Sequence, residues 1–218
     1  MKIKWLGHAA FVITSENGTR ILTDPYEAGG YNGNIGYGPI SEEVNVVTVS
    51  HEHGDHNHVA GVPGNPVAVR GEGTRQANGV EFKGVGTFHD NKLGAERGKN
   101  TVFVFTVDGI RVCHAGDLGH QFNPRQRATI GDVDVILVPV GGHFTVDPIG
   151  ATEVARSLNA KVIIPMHYKT EKLGFPIGGV DAFLKGKDNV KRANSSEIEI
   201  SKDKLPSSPQ VIVLESAL

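Results

Sequence analysis

The chain is poor in the residues that many small metal sites rely on. It has one cysteine, Cys113, in 218 residues. A disulfide within the chain is therefore excluded, and so is a zinc site built on several thiolates. Any bound metal must use His and carboxylate ligands. Aromatic residues make up only 6% of the chain, with a single Trp. No run approaches the roughly eighteen apolar residues of a membrane span. Met1 to Gly7 also lacks the charged, apolar and small-residue succession of a signal peptide. These absences predict a soluble cytoplasmic protein. Nor is there an excess of one charge: 22 Lys and Arg stand against 24 Asp and Glu, for a formal −2. That balance leaves no basic footprint for nucleic acid and no acidic tail.

Two residue types are abundant instead. Glycine fills 28 of 218 positions, about twice the usual share of roughly 7%. There are ten His. The length suits one domain spanning residues 1–218, and no linker-like segment divides it.

Short strands joined by tight turns dominate the pattern. Ala9 to Ser15 and Thr19 to Thr23 flank Asn17-Gly18, and Thr101 to Val107 and Ile110 to Ala115 flank Asp108-Gly109. Both dipeptides supply the positive φ values that two-residue hairpin turns need, and Asn78-Gly79 before Val80 to Phe82 offers a third. Val44 to Val49, Val67 to Val69, Val135 to Val140, Val162 to Ile164 and Val211 to Leu214 read as strands buried on at least one face. Helices are few and late. Asn123 caps one, with Pro124 at its first position and Gly131 as its stop. Asp147-Pro148 opens another, with Ala151, Val154, Ala155 and Leu158 on one stripe. A short third helix covers about Val180 to Lys185. Many strands with few helices predict two sheets packed face to face with helices outside. Tyr26 to Ser41, with five Gly and three Tyr, is too glycine-rich for a helix or strand and long for a plain connection. It reads either as a mobile surface loop or as a functional one.

The chemistry concentrates in His51-Glu52-His53-Gly54-Asp55-His56, directly after the strand Val44 to Val49. Composition alone would produce H-x-H-x-D-H in a chain of this kind with a chance on the order of one in a thousand. In an extended loop, residues two apart point the same way, so His51 and His53 can grip one metal. Asp55 and His56 diverge and can reach a second. Neither pair closes a coordination shell, so the fold must bring ligands from elsewhere. His89, Asp117 and His167 each follow a predicted strand and fit that need. With the cluster they make five imidazoles and two carboxylates.

Further motifs complete a series that runs nearly the whole chain. They are Trp5-Leu6-Gly7-His8, Thr23-Asp24-Pro25, His89-Asp90, Gly116-Asp117-Leu118-Gly119-His120, Pro139 to Thr145 and Pro165-Met166-His167-Tyr168. In these motifs and their order the chain resembles the metallo-β-lactamase fold superfamily. It is similar to the metal-dependent hydrolase branch that includes L-ascorbate-6-phosphate lactonase.

The resemblance implies an α/β (α+β) fold, a four-layer αββα sandwich with the site along one edge of the two sheets. It implies that His51, His53 and His89 bind one metal, that Asp55, His56 and His167 bind a second, and that Asp117 bridges them. Imidazole with carboxylate suits two Zn2+, and Mn2+ or Fe2+ remain open. Iron-binding electron-transfer members carry Glu where this chain has His53, which argues against that redox class. A two-metal site implies a water activated to hydroxide, attacking a carbonyl carbon or phosphorus. Asp55 then accepts or relays a proton, and His143 is a candidate to contact substrate or protonate the leaving group. His8, Asp24 and His120 are expected beside the ligands or the substrate, with Asp24 orienting an imidazole or the cluster backbone. His114 is expected to brace its turn, and His58 to be solvated.

Three functions remain open on sequence. The first is a hydrolase of an ester-like bond in a small molecule, a lactone or phosphoester, with no nucleic-acid or membrane partner. The second is a nucleic-acid phosphodiesterase, against which near-neutral charge counts. The third is a non-catalytic metal-binding protein. A homo-oligomer is allowed, and β-lactamase activity does not follow from the fold.

Overall fold

The computed structural model describes residues 1–218. Its strands are β1 (Lys2–Gly7), β2 (Ala10–Thr14), β3 (Arg20–Thr23), β4 (Val46–Val49), β5 (Val67–Arg70), β6 (Gly73–Ala77) and β7 (Val80–Phe88). They continue with β8 (Lys99–Val107), β9 (Ile110–His114), β10 (Val135–Pro139), β11 (Val162–Met166), β12 (Val190–Arg192), β13 (Glu197–Glu199) and β14 (Gln210–Val213). α1 (Gly30–Gly33) is a single turn with left-handed Tyr31 and Asn32 inside it, and the helices proper are α2 (Pro124–Ile130), α3 (Pro148–Ser157) and α4 (Asp181–Leu184). None is long and apolar enough to cross a membrane.

The strands form two mixed sheets, ordered β13-β1-β2-β3-β4-β5 and β12-β14-β11-β10-β9-β8-β7-β6. Alternation along the strands buries the first sheet on both faces. Ile3, Trp5, Phe11, Ile13, Ile21 and Val46 join the main core between the sheets. Ala10, Val12, Leu22, Val47 and Val49 join a smaller core on the opposite face. In the second sheet, β9, β10, β11, β14 and β12 are parallel neighbours. β10 and β11 are buried at every residue, as continuous apolar strands covered on both faces should be.

The capped helices form as expected. Asn123 accepts from Gln126 N–H at 2.9 Å while the Gln126 side chain returns a bond to Asn123 N–H. Asp147 caps α3 through Gly150 N–H at 2.7 Å. α2 packs on β7 and α3 on β10, so helices cover the outer face of the second sheet. The outer layer over the first sheet is different. It consists largely of the Tyr26 to Ser41 segment, whose Tyr26, Ile35, Tyr37 and Ile40 fill the smaller core. The mobile-loop reading is therefore corrected: the glycines let the chain turn tightly while its apolar side chains stay buried. Gly7 is one contact that requires glycine, because a Cβ there would lie 2.5 Å from the Tyr37 ring.

Two of the three expected hairpin turns have both central residues left-handed, Asn78-Gly79 (φ 48° and 76°) and Asp108-Gly109 (φ 51° and 73°). The turn at Asn17-Gly18 differs. Only Gly18 is left-handed (φ 88°), and Ser15 N–H donates to Thr19 C=O at 2.9 Å across a longer loop. The Ser15 hydroxyl and Asn17 amide oxygen both accept from Thr19 N–H at 3.0 Å, which favours this wider turn. The run that begins with Val80 to Phe82 continues to Phe88 as the single strand β7.

Candidate metal centre

Strand ends converge on one edge of the two sheets. His8 follows β1, Asp24 follows β3, the His51 to His56 segment follows β4, His89 follows β7, Asp117 follows β9 and His167 follows β11. Rigid strands fix these positions, and short loops aim the side chains. The aim requires unusual backbone: His8 (φ 53°), Asp24 (φ 37°) and His167 (φ 50°) are all left-handed. Non-glycine residues enter that region at a cost of about 1–2 kcal/mol. No composition or spacing pattern announces such strain.

Asp117 stands at the centre. Its Oδ2 lies 3.0 Å from His89 Nε2, 3.2 Å from His56 Nε2, 3.2 Å from His167 Nε2 and 3.9 Å from His51 Nε2. Two donor groups flank it, His51, His53 and His89 on one side and His8, Asp55, His56 and His167 on the other. Donor atoms in each group lie within 4.8 Å of one another. Only His53 is exposed. His8 was expected near the ligands. The structure puts its Nε2 3.0 Å from Asp55 Oδ2.

Outer contacts hold the rings. Asp24 accepts from His56 Nδ1 at 2.9 Å, from Ser50 N–H at 2.8 Å and from the Ser50 hydroxyl at 2.5 Å. His89 Nδ1 donates to Phe144 C=O at 3.1 Å, leaving Nε2 for Asp117. His114 accepts from Gly116 N–H at 3.2 Å and donates to Ala9 C=O at 3.0 Å, so it braces its turn.

Burial and charge divide the imidazoles. Burial, reinforced by His56, pushes His51 down to about 3. Burial and His167 push His8 down to about 4. Burial also opposes charge on His56, but Asp117 and Asp55 outweigh it and lift its pKa well above the ordinary value. Asp117 likewise raises His89 against the effect of burial. Burial disfavours the Asp117 anion, yet the surrounding imidazoles hold its pKa well below the carboxylate range.

His53, Asp55, His89, Asp117 and His167 line a cavity of about 320 Å³ together with Tyr31, Arg97, Phe144 and Phe175. Larger hollows of about 590 Å³ lie elsewhere, one of them beside Lys161 at the start of β11. They contain no His–carboxylate group. Tyr31 is the contribution of the glycine-rich segment. Its hydroxyl donates to Asp55 Oδ1 at 3.1 Å, and its ring meets Phe175 edge-on at 5.4 Å. Tyr31 (φ 52°) and Asn32 (φ 56°) are both left-handed, a local strain that holds the phenol over the site. Two expected residues fall outside. His120 Nε2 accepts from Phe88 N–H at 3.0 Å and braces the end of β7. His143 is exposed on its left-handed turn (φ 60°) and packs on Phe144 rather than lining the cavity.

The donor set fits metal ions. His56 Nε2, His167 Nδ1, His8 Nδ1 and Asp117 Oδ1 are buried with no hydrogen-bond partner, an arrangement that is costly unless something else satisfies them. His51, His56 and His89 also turn toward one carboxylate with their far nitrogens held by Ser50, Asp24 and Phe144 C=O, as ligands of a bound cation should.

Residues 2–167 match the family model of the β-lactamase superfamily domain. A UPF0173 metal-dependent hydrolase from Methanoculleus marisnigri is 34% identical, over 78% of this chain and 82% of the relative. Another from Pelotomaculum thermopropionicum is 30% identical, over 92% and 96%. A Thermotoga maritima structure assigned as a Zn-dependent hydrolase of the metallo-β-lactamase superfamily is 44% identical, with a TM-score of 0.80 over 98% of both chains. Matched in sequence and fold over most of its length, the chain belongs to the metallo-β-lactamase superfamily, among its UPF0173 metal-dependent hydrolases.

Proposed function

We propose that the chain uses two divalent ions to hydrolyse an ester-like bond, in a lactone or phosphoester, of a small molecule. His51, His53 and His89 would hold one ion and Asp55, His56 and His167 the other, with Asp117 between them. The observation that carries this reading is Asp117 Oδ2, within 3.0–3.9 Å of imidazole nitrogens drawn from both groups. Mixed imidazole and carboxylate donors suit zinc, with manganese or iron as the alternatives. Such ions would supply a nucleophile from water near neutral pH and offset charge on the substrate oxygen.

The chain's own residues do the rest. Asp55 accepts from the Tyr31 hydroxyl and pairs with His8, and against burial these contacts, with His56, keep its carboxylate in the anionic form that a cation needs. The Tyr31 hydroxyl can donate to an oxygen of the substrate when it leaves Asp55 Oδ1. Phe144 and Phe175 limit water at the cavity wall. A cavity of about 320 Å³ lies at the small-molecule end of the binding-site range, which favours this reading over a nuclease.

The test is metal analysis followed by a hydrolysis screen on the same sample. About two ions per chain, with cleavage of esters, lactones or phosphoesters, is expected. A fully loaded protein that leaves the whole panel intact would overturn the proposal. Steeply salt-dependent RNA binding would favour the nuclease instead.

A further inference from the structure

The geometry points to Arg97 as the residue that selects the substrate, and to an anionic group, carboxylate or phosphate, as what it binds. As a statement about substrate this rests on the hydrolase reading above. The anion site itself stands on separate observations.

The first is how the residue is held. Between β7 and β8 the chain makes an excursion from Asp90 to Gly98, beginning next to His89. The Asp90 carboxylate gathers this loop by accepting four backbone N–H groups: Lys92 and Gly94 at 2.8 Å, Glu96 at 3.0 Å and Arg97 itself at 2.8 Å. Gly98 N–H donates to Gly94 C=O at 3.0 Å, and His89 N–H donates to Gly98 C=O at 3.1 Å. The loop is closed at both ends and pinned from inside, so the Arg97 backbone is fixed beside His89.

The second is what the guanidinium lacks. It lies over the Phe144 ring, 5.5 Å from the centroid. Its side-chain hydrogen bonding is a single 3.3 Å contact to Glu96, whose other oxygen engages Lys92 at 2.6 Å. The remaining donors of a planar fork suited to bidentate oxyanions are free.

The third is the composition of the cavity. Arg97 is its single Lys or Arg. Tyr31, Phe175 and Phe144 continue the wall, with Phe144 edge-on to Phe175 at 6.1 Å. The lining thus divides into a ligand floor, an aromatic wall and one cation. The complementary substrate is a small molecule with an apolar or flat body, a scissile bond at the floor and an anionic group at Arg97.

The experiment compares 4-nitrophenyl butyrate with the mono-4-nitrophenyl ester of glutaric acid on the metal-loaded protein. Calorimetric binding of benzoate and phenyl phosphate is measured on the same samples. Arg97→Gln is expected to raise KM for the anionic ester about tenfold or more, with kcat and the neutral ester's KM unchanged. It should weaken binding of the preferred probe by a similar factor, and Arg97→Lys should recover part of both. The tighter of the two probes in the wild type identifies carboxylate or phosphate. Asp90→Ala, acting by positioning, should reproduce the selective KM rise with metal content intact. Equal effects of Arg97→Gln on both esters, or unchanged probe binding, would overturn the assignment. If the wild type cleaves neither ester, the calorimetry alone decides the anion site, and the hydrolase reading stands or falls on the full panel of esters, lactones and phosphoesters.

Discussion

Asp24 Oδ2 accepts a hydrogen bond from His56 Nδ1 at 2.9 Å, and neither side chain is exposed. The same oxygen takes the Ser50 hydroxyl at 2.5 Å, and Ser50 Oγ in turn lies 2.9 Å from His51 Nδ1. One carboxylate therefore orients an imidazole from each donor group. Removing it should loosen both. Asp24→Ala is expected to weaken metal binding about 10–100-fold, read by competition with a chelator of known affinity. A variant that keeps its folded circular dichroism and full affinity would contradict the orienting role.

Metal affinity should climb with pH. His51, pushed down to about 3 by burial and by His56, is already neutral at pH 7. Asp117 lifts His56 well above the ordinary imidazole value and raises His89 too, in both cases against burial, so protons compete with an incoming ion for these two rings. Their raised values make protons stronger competitors as pH falls, and weaker ones as pH rises through those pKa values. Loading at pH 7 in two buffers of different ionisation heat should reveal proton release. Identical heats in both buffers would count against this balance.

Tyr31→Phe removes the donor to Asp55 while keeping the ring against Phe175. The expected result is a kcat lower by about tenfold or more, with unchanged metal content. Unaltered turnover would remove Tyr31 from the mechanism.

Gly119 has no room for a methyl group. A Cβ there would lie 2.3 Å from Asp90 N and 2.4 Å from His89 C. Both are backbone atoms and cannot swing aside. Gly119→Ala should destabilise the fold by about 1–3 kcal/mol, measured by urea unfolding. The mobile alternative, a loop that simply shifts, would show as an unchanged midpoint.

Cys113 is fully buried, and burial pushes its thiol up to about 12. The native protein should resist an aromatic disulfide reagent at pH 8 and react quickly once denatured. Fast native labelling would mean that β9 opens locally.

The His51 to His56 segment was legible because so many potential ligands in one short loop have little packing value. His89, Asp117 and His167 were legible as strand-end residues able to complete the cluster, and the superfamily resemblance then implied which ion each would hold. No local pattern sets Arg97 apart from the chain's other 21 Lys and Arg residues. Tyr31 lay in a segment with no clear period, and its role depends on two consecutive left-handed residues. His120 and His143 looked equivalent to true cavity residues in sequence. One turned out to brace a strand end, and the other faces solvent.

The sequence by itself determined the strand-rich architecture, the capped helices and the ligand chemistry, because periodicity, caps and residue types are local properties. With one Cys and ten His, it also limited any metal to imidazole and carboxylate. Only the tertiary structure decided which imidazoles share Asp117, which carboxylate orients both donor groups, and which cation lines the cavity. Those relations join residues far apart in the chain. They exist only when two packed sheets bring their strand ends to one edge and buried backbone turns aim the side chains inward.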